Sequence, residues 1–118
     1  MAMAGQEVGM PQGMRFSLAF LSGPHASSVR ILEQTSTVIG REEGDVIIND
    51  PETSRRHARL DIHADGTVWL CDLGSTNGTA LQGVPITEPT RIEDRQEFSC
   101  GRSTFMLLIR EVDAMSME

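Results

Sequence analysis

From Met14 to Arg110 the apolar residues do not keep the three-and-four spacing of an amphipathic helix. They alternate with polar ones or form short runs, broken every few residues by Gly, Pro, Asn or Asp. Arg15–Leu21 places Phe16, Leu18 and Phe20 on one side, the period of two of a strand with one buried face. Val29 and Ile31, then Val38-Ile39, continue the signal after a turn at Ser22–His25. Val46-Ile47-Ile48 is closed by Asn49-Asp50-Pro51, a turn cluster. His57–His63 alternates, and Asp65-Gly66 reverses the chain into Thr67–Leu73, a good hairpin signal. After a Gly74–Gly78 loop come Thr79-Ala80-Leu81, a Gln82-Gly83 turn and Val84-Pro85-Ile86. Glu97–Cys100 and Ser103–Arg110 flank a Gly101-Arg102 turn. Arg30–Gln34 carries helix-favouring residues, but it is short and its β-branched neighbours oppose a helix. The pattern predicts about ten or eleven short strands packed as an all-β sandwich, with Trp69 in its core.

The 118 residues suit one domain, expected over 14–110, with a flexible leader over 1–13 and a flexible tail over 111–118. No apolar run approaches the ~20 residues of a membrane helix. The leader lacks both the basic and the continuous apolar segments of a secretory signal. Cys71 and Cys100 are too few for a disulfide scaffold or a zinc site and lie in strand-like stretches, so they read as buried free thiols. Together these features point to a cytoplasmic protein. The net charge of −7 opposes general nucleic-acid binding, which feeds on excess cations. All ten basic residues are Arg, each a planar fork suited to a carboxylate or phosphate.

Three loops have unusual content: Gly40-Arg41, Ser54-Arg55-Arg56-His57, and Gly74-Ser75-Thr76-Asn77-Gly78-Thr79. Guanidinium forks, short hydroxyls and an amide beside glycines are the groups that hold an oxyanion with directional bonds. The bland alternatives are specific. Arg41 could pair with Glu42 or Glu43 on the surface, Ser54 could cap a turn, and Asn77-Gly78 could be a plain turn. Arg56 is expected on a solvated face, and His25 and His63 are expected at the surface. A catalytic alternative would pair Ser54 with His57 and use Asp61 or Asp72 as orienter, but no motif such as G-x-S-x-G supports it.

Ile39-Gly40-Arg41, Asp45–Ile48, Ser54-Arg55-Arg56-His57-Ala58, Asp72–Thr79 and Gln82–Ile86, in this order and spacing, closely resemble the forkhead-associated (FHA) domain. The resemblance spans roughly Phe16–Ile109. It implies an eleven-stranded β-sandwich of the SMAD/FHA type whose loops at one end bind phosphothreonine in a partner marked by a Ser/Thr kinase. It implies no catalysis, no cofactor, no metal, no nucleic acid and no membrane insertion. Arg41 resembles the arginine that contacts phosphate, and Ser54 the serine whose hydroxyl and N–H hold its oxygens. Arg55 matches a position that often adds a further contact. Thr76 resembles the loop residue beside the phosphate, and Asn77 the asparagine that bonds the peptide main chain. His57 resembles a structural histidine, while Gly40 and Gly78 resemble loop-shaping positions. Thr53 departs from the family's usual Val or Ile, so packing beneath that loop is expected to differ. Glu42, Glu43 and Glu52 bring carboxylates close to the expected site. The alternative function is a phosphate-independent assembly module built on the same sandwich.

Overall fold

The computed structural model describes residues 8–112, and the parts of the expected leader and tail at 1–7 and 113–118 lie outside the described residues. Eleven strands run in chain order: β1 (Met14–Ser22), β2 (Val29–Ile31), β3 (Ser36–Gly40), β4 (Val46–Ile47), β5 (Ala58–Ile62), β6 (Val68–Asp72), β7 (Thr79–Leu81), β8 (Val84–Pro85), β9 (Thr90–Ile92), β10 (Glu97–Cys100) and β11 (Ser103–Glu111). They form a six-stranded sheet, ordered β2-β1-β11-β10-β7-β8, and a five-stranded sheet, ordered β4-β3-β5-β6-β9. No helix among the described residues is long and apolar enough to cross a membrane.

Alternation builds the interior. Phe16, Leu18 and Phe20 of β1 turn inward with Phe98 of β10 and Phe105 and Leu107 of β11. The second sheet supplies Ile39, Ala58, Leu60, Ile62, Val68, Leu70 and Ile92. Phe105 packs edge-on to Phe20 at 5.2 Å and stacks with Phe98 at 5.0 Å. Burying each such large side chain contributes about 1.5–3 kcal/mol. The long β1–β11 pairing, from Met14↔Glu111 to Ser22↔Thr104, brings the two ends of the domain together. Just before it, Val8 pairs with His63 and the Gly9 N–H donates to the Ile62 carbonyl at 2.9 Å.

Two elements differ from the sequence expectation. Trp69 is half-buried on the outer face of the five-stranded sheet instead of in the core. Val68 and Leu70 take the inward positions of β6, so the residue between them must face out. There Trp69 stacks on His63 at 5.7 Å, and its Nε1–H donates to Thr67 Oγ1 at 3.1 Å. β9 carries no alternating signal of its own: only Ile92 of its three residues is buried, and pairing with β6 defines it.

The connection that matters most for the site lies between β3 and β4, which are parallel neighbours separated by only residues 41–45. Asp45 closes this arch from both ends. Its N–H donates to the Val38 carbonyl at 2.8 Å, and its carboxylate accepts the Val38 N–H at 2.9 Å. The intervening residues 41–44 are thereby projected beyond the sheet.

Both thiols are free and buried, as the sequence indicates. Burial pushes the Cys100 thiol far up, and burial also raises Cys71, against the opposing pull of Arg59. Since the thiolate is the reactive form, iodoacetamide at pH 7.5 is expected to leave both cysteines unlabelled in the folded protein. Both should label fully in 6 M guanidinium, read by intact mass; rapid labelling of the folded chain would contradict their enclosure.

Candidate functional site

The arch after β3 docks onto the segment between β4 and β5 through main-chain bonds. The Arg41 N–H donates to Ser54 O at 2.9 Å, and the Glu42 and Glu43 N–H groups converge on Arg55 O at 3.3 and 3.1 Å. Gly40 permits this approach. A Cβ at that position would lie 2.1 Å from Arg55 O and 2.4 Å from Glu43 O, both rigid backbone atoms. Arg41 is thus laid across residues 53–55, and its Nε–H donates to Thr53 O at 3.0 Å.

His57 ties in the third loop. It is fully buried, its Nδ1 accepts the Ser54 N–H at 3.0 Å, and its Nε2 lies 2.8 Å from Gly78 O. A backbone N–H can only donate and a carbonyl can only accept, so the ring is the Nε2–H tautomer. Gly78 has φ +82°, the left-handed region that a side chain disfavours, and this turns its carbonyl toward the imidazole. The same geometry removes the catalytic alternative. Both ring nitrogens are committed to backbone, and Ser54 Oγ accepts the Thr76 N–H at 2.9 Å instead of bonding the imidazole. Asp61 is paired with Arg59, and Asp72 serves the loop.

The expected residues meet at one place. Arg41, Ser54, Arg55, Thr76 and Asn77 lie on loops joined by direct hydrogen bonds. Ser54 differs in detail from the resemblance: its N–H is engaged by His57, leaving the hydroxyl as the group free to donate outward. Asn77 bridges loops, its Nδ2 donating to Glu52 O at 2.8 Å, with its Oδ1 on an exposed side chain. Arg56 is exposed, as expected. Thr53 is buried, and its hydroxyl reaches Cys100 O at 3.3 Å, so a polar side chain is satisfied at a place where the family usually puts an apolar one.

Sequence reasoning missed the role of Asp50 and Asp72, the two carboxylates that stiffen these loops. Asp72 accepts from the Gly74 and Ser75 N–H groups, each at 3.1 Å, and from the Ser75 and Thr79 hydroxyls. Asp50 is buried and accepts from Glu52 N–H at 2.9 Å, Arg102 N–H at 2.8 Å and Ser103 Oγ at 2.9 Å, pinning the β4–β5 segment to the β10–β11 turn. From that turn Arg102 pairs with Glu52. Burial pushes both aspartates up. The donors around them outweigh it, namely Glu52, Ser103, Arg102 and Thr53 for Asp50, and Ser75 and Thr79 for Asp72. The net shift of each carboxyl is below its ordinary value. Asp50 sits in a bare turn cluster, and only its spatial neighbours mark it out.

Fold and loops together form a β-sandwich with two arginines, short hydroxyls and a carboxamide gathered at one end. Residues 37–101 match the FHA domain, and the chain belongs to the FHA domain family, a class of phosphothreonine-binding modules and not of enzymes. It is 36% identical over 86 residues to the glycogen accumulation regulator GarA of Mycolicibacterium smegmatis, a match covering 72% of this chain and 52% of that protein. It is 35% identical over 83 residues to an oxoglutarate dehydrogenase inhibitor of Corynebacterium diphtheriae, covering 70% and 57% respectively. The chain therefore spans about half the length of the curated relatives it matches. The crystal structure of the FHA domain of the CT664 protein from Chlamydia trachomatis aligns with a TM-score of 0.75 at 28% identity, covering 80% of this chain and 96% of that one.

Asp50→Asn would turn an acceptor-only group into one presenting N–H donors to three donors. The expected cost is about 2–3 kcal/mol in urea unfolding. Because the folded-state values of Asp50 and Asp72 are depressed, their stabilisation is fully present above the unfolded value and is lost as pH falls through the folded one. Stability should hold steady from pH 7 to about 5 and decline below about 4. Asp50→Asn should show a shallower acid decline; an identical slope would show that Asp50 does not contribute to it.

Proposed function

We propose that this domain binds a phosphothreonine of a partner protein, laid down by a Ser/Thr kinase, through Arg41, Ser54, Arg55, Thr76 and Asn77, and that it does so in the cytoplasm. The observation that carries the proposal is the hydrogen-bonded chain running from the Arg41 guanidinium through the Thr53–Ser54 backbone to Ser54 Oγ and the Thr76 N–H. It gathers two arginines and two short hydroxyls on an exposed rim, supported from below by a buried histidine.

A phosphothreonine carries nearly two charges at pH 7 and three acceptor oxygens. Arg41 supplies its terminal N–H groups while its Nε holds the loop, so this fork is aimed by the fold before any ligand arrives. Ser54 Oγ accepts from Thr76, which leaves its proton for a phosphate oxygen. Asn77, anchored through Glu52 O, presents its carboxamide to the peptide main chain. Each charge-assisted bond contributes about 1.5–3 kcal/mol, and ordering a flexible peptide takes much of that back. Affinity of about micromolar order, near −8 kcal/mol, is the expected balance. The chain's net −7 opposes an anion, but over a Debye length of ~8 Å the distant carboxylates are screened and the local arginines prevail.

Calorimetric titration with a phosphothreonine peptide, its phosphoserine analogue and the unmodified threonine peptide tests this. Binding to the first is expected, with the second weaker by about ten-fold for want of the γ-methyl and the third undetectable. Arg41→Ala should weaken phosphopeptide binding by about 30-fold or more with little change in Tm. Affinity should also fall with added salt and below about pH 6, where the phosphate takes up its second proton. Equal affinity for the phosphorylated and bare peptides would instead favour phosphate-independent assembly.

A further inference from the structure

Both arginines of the proposed site are joined to one carboxylate. Glu42 Oε1 accepts from an Arg41 terminal nitrogen at 3.1 Å, and Glu42 Oε2 accepts from Arg55 Nε at 3.0 Å. Glu43, the next residue and also a carboxylate, reaches only Arg55, at 3.8 Å. Glu52, the remaining carboxylate of the cluster, is paired with Arg102. Glu42 therefore bridges the two guanidinium groups that an incoming phosphate would engage.

We infer that Glu42 is an internal competitor for the phosphate site, an affinity-determining residue whose carboxylate must leave Arg41 and Arg55 before a phosphothreonine can seat. This inference rests on the phosphothreonine proposal above. Arg41 cannot simply follow Glu42 away, because its Nε is held by Thr53 O. Nor can Glu42 diffuse off, since its backbone N–H is bonded to Arg55 O and keeps the carboxylate tethered beside both forks. A tethered group acts at an effective concentration of the order of millimolar. The side chains are 38%, 50% and 65% exposed for Arg41, Glu42 and Arg55, so each pair is individually weak and the bridge is reversible. A dianion with three acceptor oxygens outcompetes a monoanion with two. The bridge lowers apparent affinity by the fraction of molecules in which the forks are free.

The test is fluorescence anisotropy with the full chain, using labelled phosphothreonine, phosphoserine and bare threonine peptides against the wild type, Glu42→Gln and Glu43→Gln. Glu42 is exposed, so Glu42→Gln is expected to fold, checked by its Tm. Glu42→Gln should tighten phosphothreonine binding by roughly three- to ten-fold, the scale of two exposed ion pairs. The phosphoserine peptide should tighten by the same factor, because an internal competitor acts before the ligand arrives. Glu43→Gln, which removes the same formal charge, should change affinity by less than about two-fold. The inference is overturned if Glu42→Gln leaves affinity unchanged or weakens it, if Glu43→Gln tightens equally, or if the gain depends on which phosphopeptide is used. In those cases phosphothreonine recognition itself stands, because the wild type still separates phosphorylated from bare peptide. A wild type that binds both alike would overturn the phosphothreonine proposal and this competitor with it.

Discussion

A buried imidazole holds the working end of this domain together. His57 immediately precedes β5, and its backbone is fixed to the neighbouring segments, with its N–H on Ile39 O and its carbonyl receiving the Leu73 N–H. Its side chain then reaches the Ser54 N–H on one loop and Gly78 O on another. Four groups from three segments are thereby referred to one rigid residue. Leaving either of the two loop groups unpaired in the interior would cost about 1–3 kcal/mol. The positions of Ser54, Thr76 and Asn77 follow from that bridge, and Arg41 follows from Ser54 through the contact that only a glycine at position 40 allows.

Around this bridge the loops are stiffened by carboxylates that are saturated with donors. Asp50 and Asp72 each collect at least three hydrogen bonds, and among the described residues no buried side-chain polar atom lacks a partner. Such satisfied networks convert loops into rigid parts, at the risk that losing one member leaves several groups unpaired. The outward-facing charges behave differently. Arg41, Arg55 and Glu42 are solvated, their pairings are weak, and they can exchange partners without disturbing the frame beneath. Rigid below and exchangeable above is the arrangement that anion capture on a pre-aimed site requires.

The sandwich was legible because strand alternation is a local property. Phe16, Leu18 and Phe20 announce their common face in seven residues, and Asp65-Gly66 announces its turn in two. Trp69 shows the limit. Its size argued for the interior, but the parity of β6 was already set by Val68 and Leu70. β9 shows another limit, since Thr90–Ile92 becomes a strand only because β6 offers an open edge. Within the site, Arg41, Ser54, Arg55, Thr76 and Asn77 stood out because their types and order form a pattern. Asp50, Arg102 and Ser103 did not, because an Asp in an Asn-Asp-Pro turn and an Arg after a glycine are ordinary until the fold places them together across 52 residues.

By itself the order of residues determined an all-β chain, the inward face of β1, the main turns and the family to which the domain belongs. Those are consequences of steric periodicity and of short motifs read along one dimension. Tertiary structure alone decided that His57 faces two loops at once, that the Ser54 N–H is occupied while its hydroxyl is open, and that Glu42 instead of Glu43 spans the two arginines. Each of these depends on distances between loop segments that only the folded chain brings together, and hydrogen bonds are made or lost within a few tenths of an ångström.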